Sequence, residues 1–238
     1  MVGINGERMA RKLVYGVGVN DAPYVTEPGK RVAGRTVHAK KCPYFVLWKS
    51  MLKRCYGKSD PSYLGCIVDT SWHSFMAFKL WVQSQKQHDI WLKELDLPIK
   101  EREVKFQLDK DILGNGKLYS PVTCILVPST LNSVLSHQKE NIKELPLGVS
   151  WVSSRMKYRA YIMVENKYKS LGYYENPQLA HLAWQKEKCR NIFRLLTGYE
   201  KQPYKDGRVI QRFTEVVDGI LEDISNLRET TNFGGGNI

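Results

Sequence analysis

No stretch of the 238 residues approaches the roughly 20 consecutive apolar side chains that a membrane span needs, and the N-terminus carries no apolar core of the kind that directs secretion. The expectation is a soluble, cytoplasmic protein without a membrane partner. Cysteine is scarce: Cys42, Cys55, Cys66, Cys124 and Cys189 form an odd, widely spaced set with no CxxC pair. That pattern argues against a disulfide framework. It leaves a zinc site of Cys42, Cys55, Cys66 and Cys124 as the lesser alternative to ordinary buried thiols. Of the 5 histidines, His73 and His88 have no evident partner in the sequence and read as structural.

Cation is what the chain has in excess. The 36 Lys and Arg against 24 Asp and Glu give a net charge of +12, with 42% hydrophobic residues, the composition of a globular protein with a polyanionic partner. The excess is uneven. Residues 1–58 hold 12 Lys and Arg against 3 acids and residues 145–198 hold 9 against 3, whereas residues 206–238 hold 3 against 6. Two basic regions therefore flank a middle, and an acidic tail follows.

Residues 1–42 are rich in Gly, Lys and Arg, and Glu27–Lys41 reads as an extended basic arm that orders on a partner. Residues 43–103 read as a helical, aromatic-rich module. There the spacing of Phe45, Trp48, Met51, Leu52 and Cys55 predicts a helix with one apolar face, with Lys49, Lys53 and Arg54 largely on the others. A second helical stretch is expected from Ser71 to Trp91, capped by Thr70 or Ser71. Over residues 104–138 the pattern becomes strand, turn, strand, helix, with Gly114-Asn115-Gly116 as a hairpin signal, Thr123–Val127 as a strand and Ser129 as a helix cap. Residues 139–146 form a polar linker. Strands are expected at Gly148–Trp151, Tyr158–Val164 and Tyr168–Tyr173, then a helix opened by Asn176-Pro177 and stopped by Gly198. Residues 205–238 close with an acidic amphipathic helix from Val209 to Leu227, free to dock on the body or to dimerise, so monomer and dimer both stay open.

The string Phe106-Gln-Leu-Asp109-Lys110-Asp111-Ile-Leu, followed by Tyr119-Ser-Pro-Val-Thr123 and a helix carrying Asn132, resembles the ββα-metal unit of phage HNH homing endonucleases. The resemblance implies that Asp109 and Asn132 are metal ligands, with Asp111 a further ligand or base, and that Mg²⁺ or Mn²⁺ is the cofactor. Thr123 stands where the family's central Asn is usual. Such an ion stabilises charge that develops on a phosphodiester under attack. Lys110 occupies the position of the family's general-base histidine. A lysine of ordinary pKa is protonated near neutrality and suits a phosphate better than a proton, so the catalytic candidates are Asp109, Lys110, Asp111 and, beyond the helix, His137.

The segment from Gly148-Val-Ser-Trp151 to Leu179-Ala-His-Leu-Ala-Trp184 resembles the APETALA/ethylene-response DNA-binding domain, which phages join to such endonucleases. The resemblance implies that residues 145–200 form a three-stranded sheet lying in the major groove of double-stranded DNA and backed by a helix. Strand alternation turns Arg159, Tyr161 and Met163 away from the helix. Trp151, Arg155, Lys157, Lys167 and Lys169 are expected near the same surface or its hairpin turns, and the N-terminal basic arm with the helix bearing Lys49, Lys53 and Arg54 is expected to track the DNA backbone. Ser150, Met163 and Ser170 stand where the family has more arginine, which implies a different sequence preference.

The expected fold is α+β: an N-terminal helical basic module, a central ββα-metal unit, a C-terminal three-stranded antiparallel sheet with its helix, and a final amphipathic helix. The expected function is a phage-type endonuclease acting on DNA in the infected bacterial cytoplasm. The alternatives are a DNA-binding or regulatory protein whose nuclease unit has degenerated, and a phage protein that inhibits a host protein.

Overall fold

The computed structural model describes residues 12–32, 35–38, 40–58, 60–114, 116–135, 145–164, 167–231 and 233. The mixed α/β architecture contains six helices and several small sheets among these residues. Along the chain, β1 (Gly29–Val32) and β2 (Arg35–His38) precede α1 (Pro43–Tyr56), β3 (Ile67–Val68), α2 (Phe75–Ser84) and α3 (His88–Asp96). The middle supplies β4 (Phe106–Asp109), β5 (Leu118–Tyr119), β6 (Ile125–Pro128) and α4 (Ser129–Leu135). The last part supplies β7 (Val149–Val152), β8 (Lys157–Val164), β9 (Lys167–Tyr174), α5 (Pro177–Glu200) and α6 (Gly207–Ser225).

Two hydrophobic cores share one wall. The first gathers the apolar faces of α1, α2 and α3, where Trp48, Trp72, Phe75 and Phe78 lose essentially all solvent contact. Each such aromatic contributes about 2 to 3 kcal/mol by burial. The Trp48 indole N–H is matched inside this core, donating to the Trp72 carbonyl at 2.7 Å. The second core is built from α5 and α6, whose Ile192, Val209, Phe213, Val217 and Ile220 interdigitate. Between them runs the antiparallel ribbon of β4 and β6, in register Leu108↔Leu126 and Asp109↔Ile125. Because side chains alternate along a strand, Leu108 and Leu126 enter the first core while Ile125 and Val127 enter the second.

The antiparallel sheet β7-β8-β9 covers the N-terminal half of α5. Asn176 caps that helix as its sequence suggests, its side-chain oxygen accepting from the amides of Gln178 at 2.7 Å and Leu179 at 3.2 Å. Close approach of sheet and helix is set by Gly148, whose φ is +72° and where a Cβ would lie 1.9 Å from Cδ1 of Trp184.

Several expectations are corrected. The extended arm folds back on itself as the antiparallel pair β1–β2. The stretch from Ser71 to Trp91 is not one helix: residues Thr70–His73 form a 3-10 turn capped by Asp69, and Ser74 caps α2 by accepting from the Ala77 amide. The Gly114–Gly116 turn does not close a hairpin, because the short strand after it pairs in parallel with β3, leaving β6 to pair with β4. Helix α5 continues through Gly198 to Glu200, since open space surrounds the glycine and nothing there breaks the backbone ladder. His88 has partners that the sequence did not suggest, at 2.7 Å from both the Tyr44 hydroxyl and Asp89. The acidic helix α6 docks on α5 with Val209, Phe213 and Val216 buried. Residues 139–144 of the expected linker lie outside the described residues.

Candidate functional site

Two surfaces carry the chemistry that the sequence points to: the end of the ribbon, and the sheet face turned away from α5. At the ribbon end, β4 delivers Asp109 into a tight turn where a single oxygen, Oδ2, accepts from the amides of Asp111 at 2.8 Å and Ile112 at 2.7 Å. Asp109 is 4% exposed, and burial pushes its carboxyl above the ordinary value even though the two amides pull the other way. Its cross-strand partner Ile125 places it on the ribbon face toward the second core. Asn132, on α4, donates to Gln107 Oε1 at 2.7 Å. Since Gln107 and Asp109 alternate onto one face of β4, Asn132 lies against the face that bears Asp109.

Lys110 turns the other way. Its ammonium lies 2.7 Å from Asp111 Oδ1 and 5.4 Å from the ring centroids of both Tyr63 and Tyr119, with the side chain only 7% exposed. Burial pulls this amine down, but the hydrogen bond and charge of Asp111 outweigh it and hold Lys110 above its ordinary value. It is therefore charged at neutral pH and can hold an anion but take no proton. Asp111, by contrast, is 60% exposed. Beside Lys110, Arg54 from the last turn of α1 donates to the Tyr119 hydroxyl at 3.5 Å and lies 5.6 Å over Tyr63. Neither tyrosine stood out in the sequence, because each looks like ordinary core until the ribbon and α1 are placed together.

The remaining ribbon candidates separate. His137 lies outside the described residues. Thr123 serves its own turn, donating to the Leu118 carbonyl at 2.7 Å. Among the described residues no group of three or more His, Cys, Asp or Glu side chains is placed to hold a metal ion. The four cysteines considered for zinc do not gather: Cys124 lies inside the first core, Cys42 faces Tyr24, and Cys66 donates to the Gly116 carbonyl. Burial pushes the thiols of Cys55 up to about 11 and Cys124 up to about 12, the opposite of what a zinc thiolate needs.

On the sheet, register decides which side chains share the open face. Ala160 and Ile162 are buried toward α5, so Arg159, Tyr161 and Met163 face outward, and pairing adds Ser150, Tyr168, Ser170 and Tyr173 to them. The Arg159 guanidinium lies 5.3 Å over the Tyr161 ring, which packs edge-on against Tyr168 at 5.7 Å. Arg155, in the turn after β7, stacks over Tyr173 at 4.3 Å. Arg159 Nε and Ser150 Oγ, a directly paired couple, are buried without a hydrogen-bond partner. Lys157 reaches this side and pairs with Glu175 at 2.7 Å.

Trp151, Lys167 and Lys169 do not share this face, although Lys167 opens β9 beside the β8–β9 connection, where the sequence also allowed it. Trp151 is paired with Tyr158 and packs edge-on against it at 4.9 Å on the helix side. Lys167 and Lys169 oppose Val164 and Ile162, also on the helix side, where Lys169 pairs with Glu187 of α5 at 2.7 Å. The cause is a bulge between Ala160 and Tyr161, which shifts the β9 register by one residue and inverts the side on which its lysines emerge. The same shift brings Tyr168 onto the open face opposite Met163, a placement that strand alternation without the bulge does not give. On α1, Lys49 is bound with Lys41 to Glu27 at 2.7 and 2.9 Å, so its charge is matched, while Lys53 is exposed.

Set against known proteins, the chain matches no family model, no curated protein and no solved structure.

Proposed function

We propose that this chain binds double-stranded DNA through the open face of β7-β8-β9 and hydrolyses a phosphodiester bond with a divalent metal ion at the ribbon end. The observation that carries the binding reading is the composition of that face. It presents Arg155, Arg159, Tyr161, Met163, Tyr168 and Tyr173, with Glu175 at its edge matched by Lys157. Cations held on aromatic rings are pre-positioned for phosphate and base edges.

The catalytic part rests on the strand-end carboxylates. Asp109 and Asp111 are hard oxygen donors two residues apart in the chain, of the kind that Mg²⁺ or Mn²⁺ takes while keeping water and substrate oxygens as its other ligands. Asp109 keeps its second oxygen, Oδ1, for such a role because both turn amides go to Oδ2. Asp111 offers an exposed carboxylate oriented by Lys110. When bound, the ion would offset negative charge developing on the phosphodiester. Lys110 holds Asp111 in place, and Asn132 braces α4 against the ribbon through Gln107.

A second reading, a DNA-binding protein without nuclease activity, draws on two observations. Lys110 is kept charged and occupies one Asp111 oxygen, and Asn132 is engaged by Gln107. Supercoiled plasmid incubated with Mg²⁺ or Mn²⁺ separates the two. Nicked or linear product that disappears in Asp111→Asn supports hydrolysis at the ribbon end; intact plasmid together with duplex retardation in a gel shift leaves the binder. Absence of retardation even at about 50 mM salt, where phosphate contacts are strongest, removes both.

A further inference from the structure

The half-buried guanidinium of Arg54 is the feature that neither the fold nor the sheet surface accounts for. A guanidinium carries five N–H donors in a fixed fork, and here one of them makes a long contact, 3.5 Å to the Tyr119 hydroxyl. No carboxylate among the described residues pairs with it. Its other donors are not among the buried unmatched atoms, so they face solvent. Packing on Tyr63 at 5.6 Å nevertheless fixes where the group sits.

The same two rings carry the Lys110 ammonium at 5.4 Å each. A cation from α1 and a cation from the end of β4 thus share one aromatic bed, and Asp111 pairs with Lys110, not with Arg54. The buried carboxyl of Asp109 also lies within electrostatic reach of Lys110, so the carboxyls gather on the Lys110 side and Arg54 stands apart from them. Tyr119 and Cys55 add no charge: burial pushes Tyr119 well above the ordinary phenol value and Cys55 up to about 11, so both are neutral at working pH. Gly116 lies beside Asp111 with φ +78°, and a Cβ there would come within 2.9 Å of Asp111 Oδ1. A guanidinium fixed on aromatic rings with unused planar donors is suited to one tetrahedral oxyanion.

We propose that Arg54, with Lys110 and Asp111 behind it on the bed of Tyr63 and Tyr119, clamps one backbone phosphodiester of the bound nucleic acid at the ribbon end. This rests on the DNA-binding reading above and adds to it a second point of grip, remote in sequence from the sheet. Arg54 supplies the planar donors, Lys110 supplies fixed charge without leaving Asp111, and the rings hold both cations against thermal scatter.

The test uses the full chain and two probes, inorganic phosphate and the dinucleoside monophosphate TpT, followed through the ¹⁵Nε–H resonance of Arg54. A saturable shift with TpT, missing from the spectrum of Arg54→Met, is expected. In parallel, fluorescence anisotropy with a labelled duplex gives the dependence of log Kd on log salt. Arg54→Met should lower that slope by about 1, the value for one lost phosphate contact, with an unchanged melting temperature, and Arg54→Lys should retain most of it. An unmoved resonance with TpT, or a wild-type slope in Arg54→Met, overturns the clamp while leaving DNA binding by the sheet intact. A shift with inorganic phosphate but none with TpT overturns it as a phosphodiester site. Wild-type protein that gives no anisotropy change with duplex instead defeats the DNA-binding reading itself.

Discussion

Lys188→Met probes the join between the ribbon unit and the C-terminal helices. Lys188 projects from α5 into the second core, 8% exposed, donating to the Val134 carbonyl in the last turn of α4 at 2.5 Å and lying 4.6 Å over Phe233 and 5.8 Å over Trp184. Burial pulls its amine down to about 8. Against an unfolded lysine near 10.4, this makes the charged form about 3 kcal/mol costlier in the folded chain. The sign follows from proton counting. Between pH 8 and about 10.4 the unfolded chain holds the proton that the folded chain has released, so wild-type stability rises as pH climbs through this window. Methionine fills the same volume without charge but leaves the Val134 carbonyl unmatched, a loss of about 1 to 3 kcal/mol. The two proteins should therefore be similarly stable at pH 7, and the variant should fall behind by about 2 to 3 kcal/mol at pH 10. Urea unfolding of both proteins at several pH values reads this difference directly. Parallel stability profiles for wild type and variant from pH 7 to 10 would refute the argument.

Three other perturbations test the same framework. Gly148→Ala places a methyl into Trp184 at a left-handed backbone position and should cost at least about 2 kcal/mol, seen as a lowered thermal midpoint. Asp109→Asn keeps an acceptor for the amides of Asp111 and Ile112 and should melt near wild type, while Asp109→Ala strands both donors and should lose about 1 to 3 kcal/mol in calorimetry; the plasmid-nicking activity proposed above should vanish in both. His181, whose imidazole burial holds below its usual value, donates from Nδ1 to the Leu147 carbonyl and accepts the Thr230 amide at Nε2. The unfolded chain takes up this proton first as pH falls below about 6.5. Stability should drop there, with exchange of the Thr230 amide as the earliest sign, and His181→Gln should flatten that dependence.

Much of the secondary structure was legible because local signals and tertiary needs agreed. The Asn176-Pro177 start, the alternation of Tyr158 to Val164 and the apolar stripe of α6 each answer to one neighbour, so periodicity alone locates them. The Gly114–Gly116 turn misled because strand choice is a long-range decision: β3, some fifty residues upstream, takes the segment that follows it. The sites were legible in type more than in direction. Arg159 and Tyr161 face as their alternation indicates, but a single bulge sends Lys169 to Glu187 instead. The Lys110 bed was hidden for a related reason, because it combines residues from α1, the following loop and both sides of the ribbon turn, and no spacing in one segment encodes that meeting.

The ribbon of β4 and β6 has its two faces committed to different neighbours, Leu108 and Leu126 to one and Ile125 and Val127 to the other. A cut of the chain on either side of it would leave one fragment with a bare apolar strip and the other with a roofless core. Such halves should be insoluble apart and recover only when mixed, so whatever acts at the ribbon end is built jointly by both.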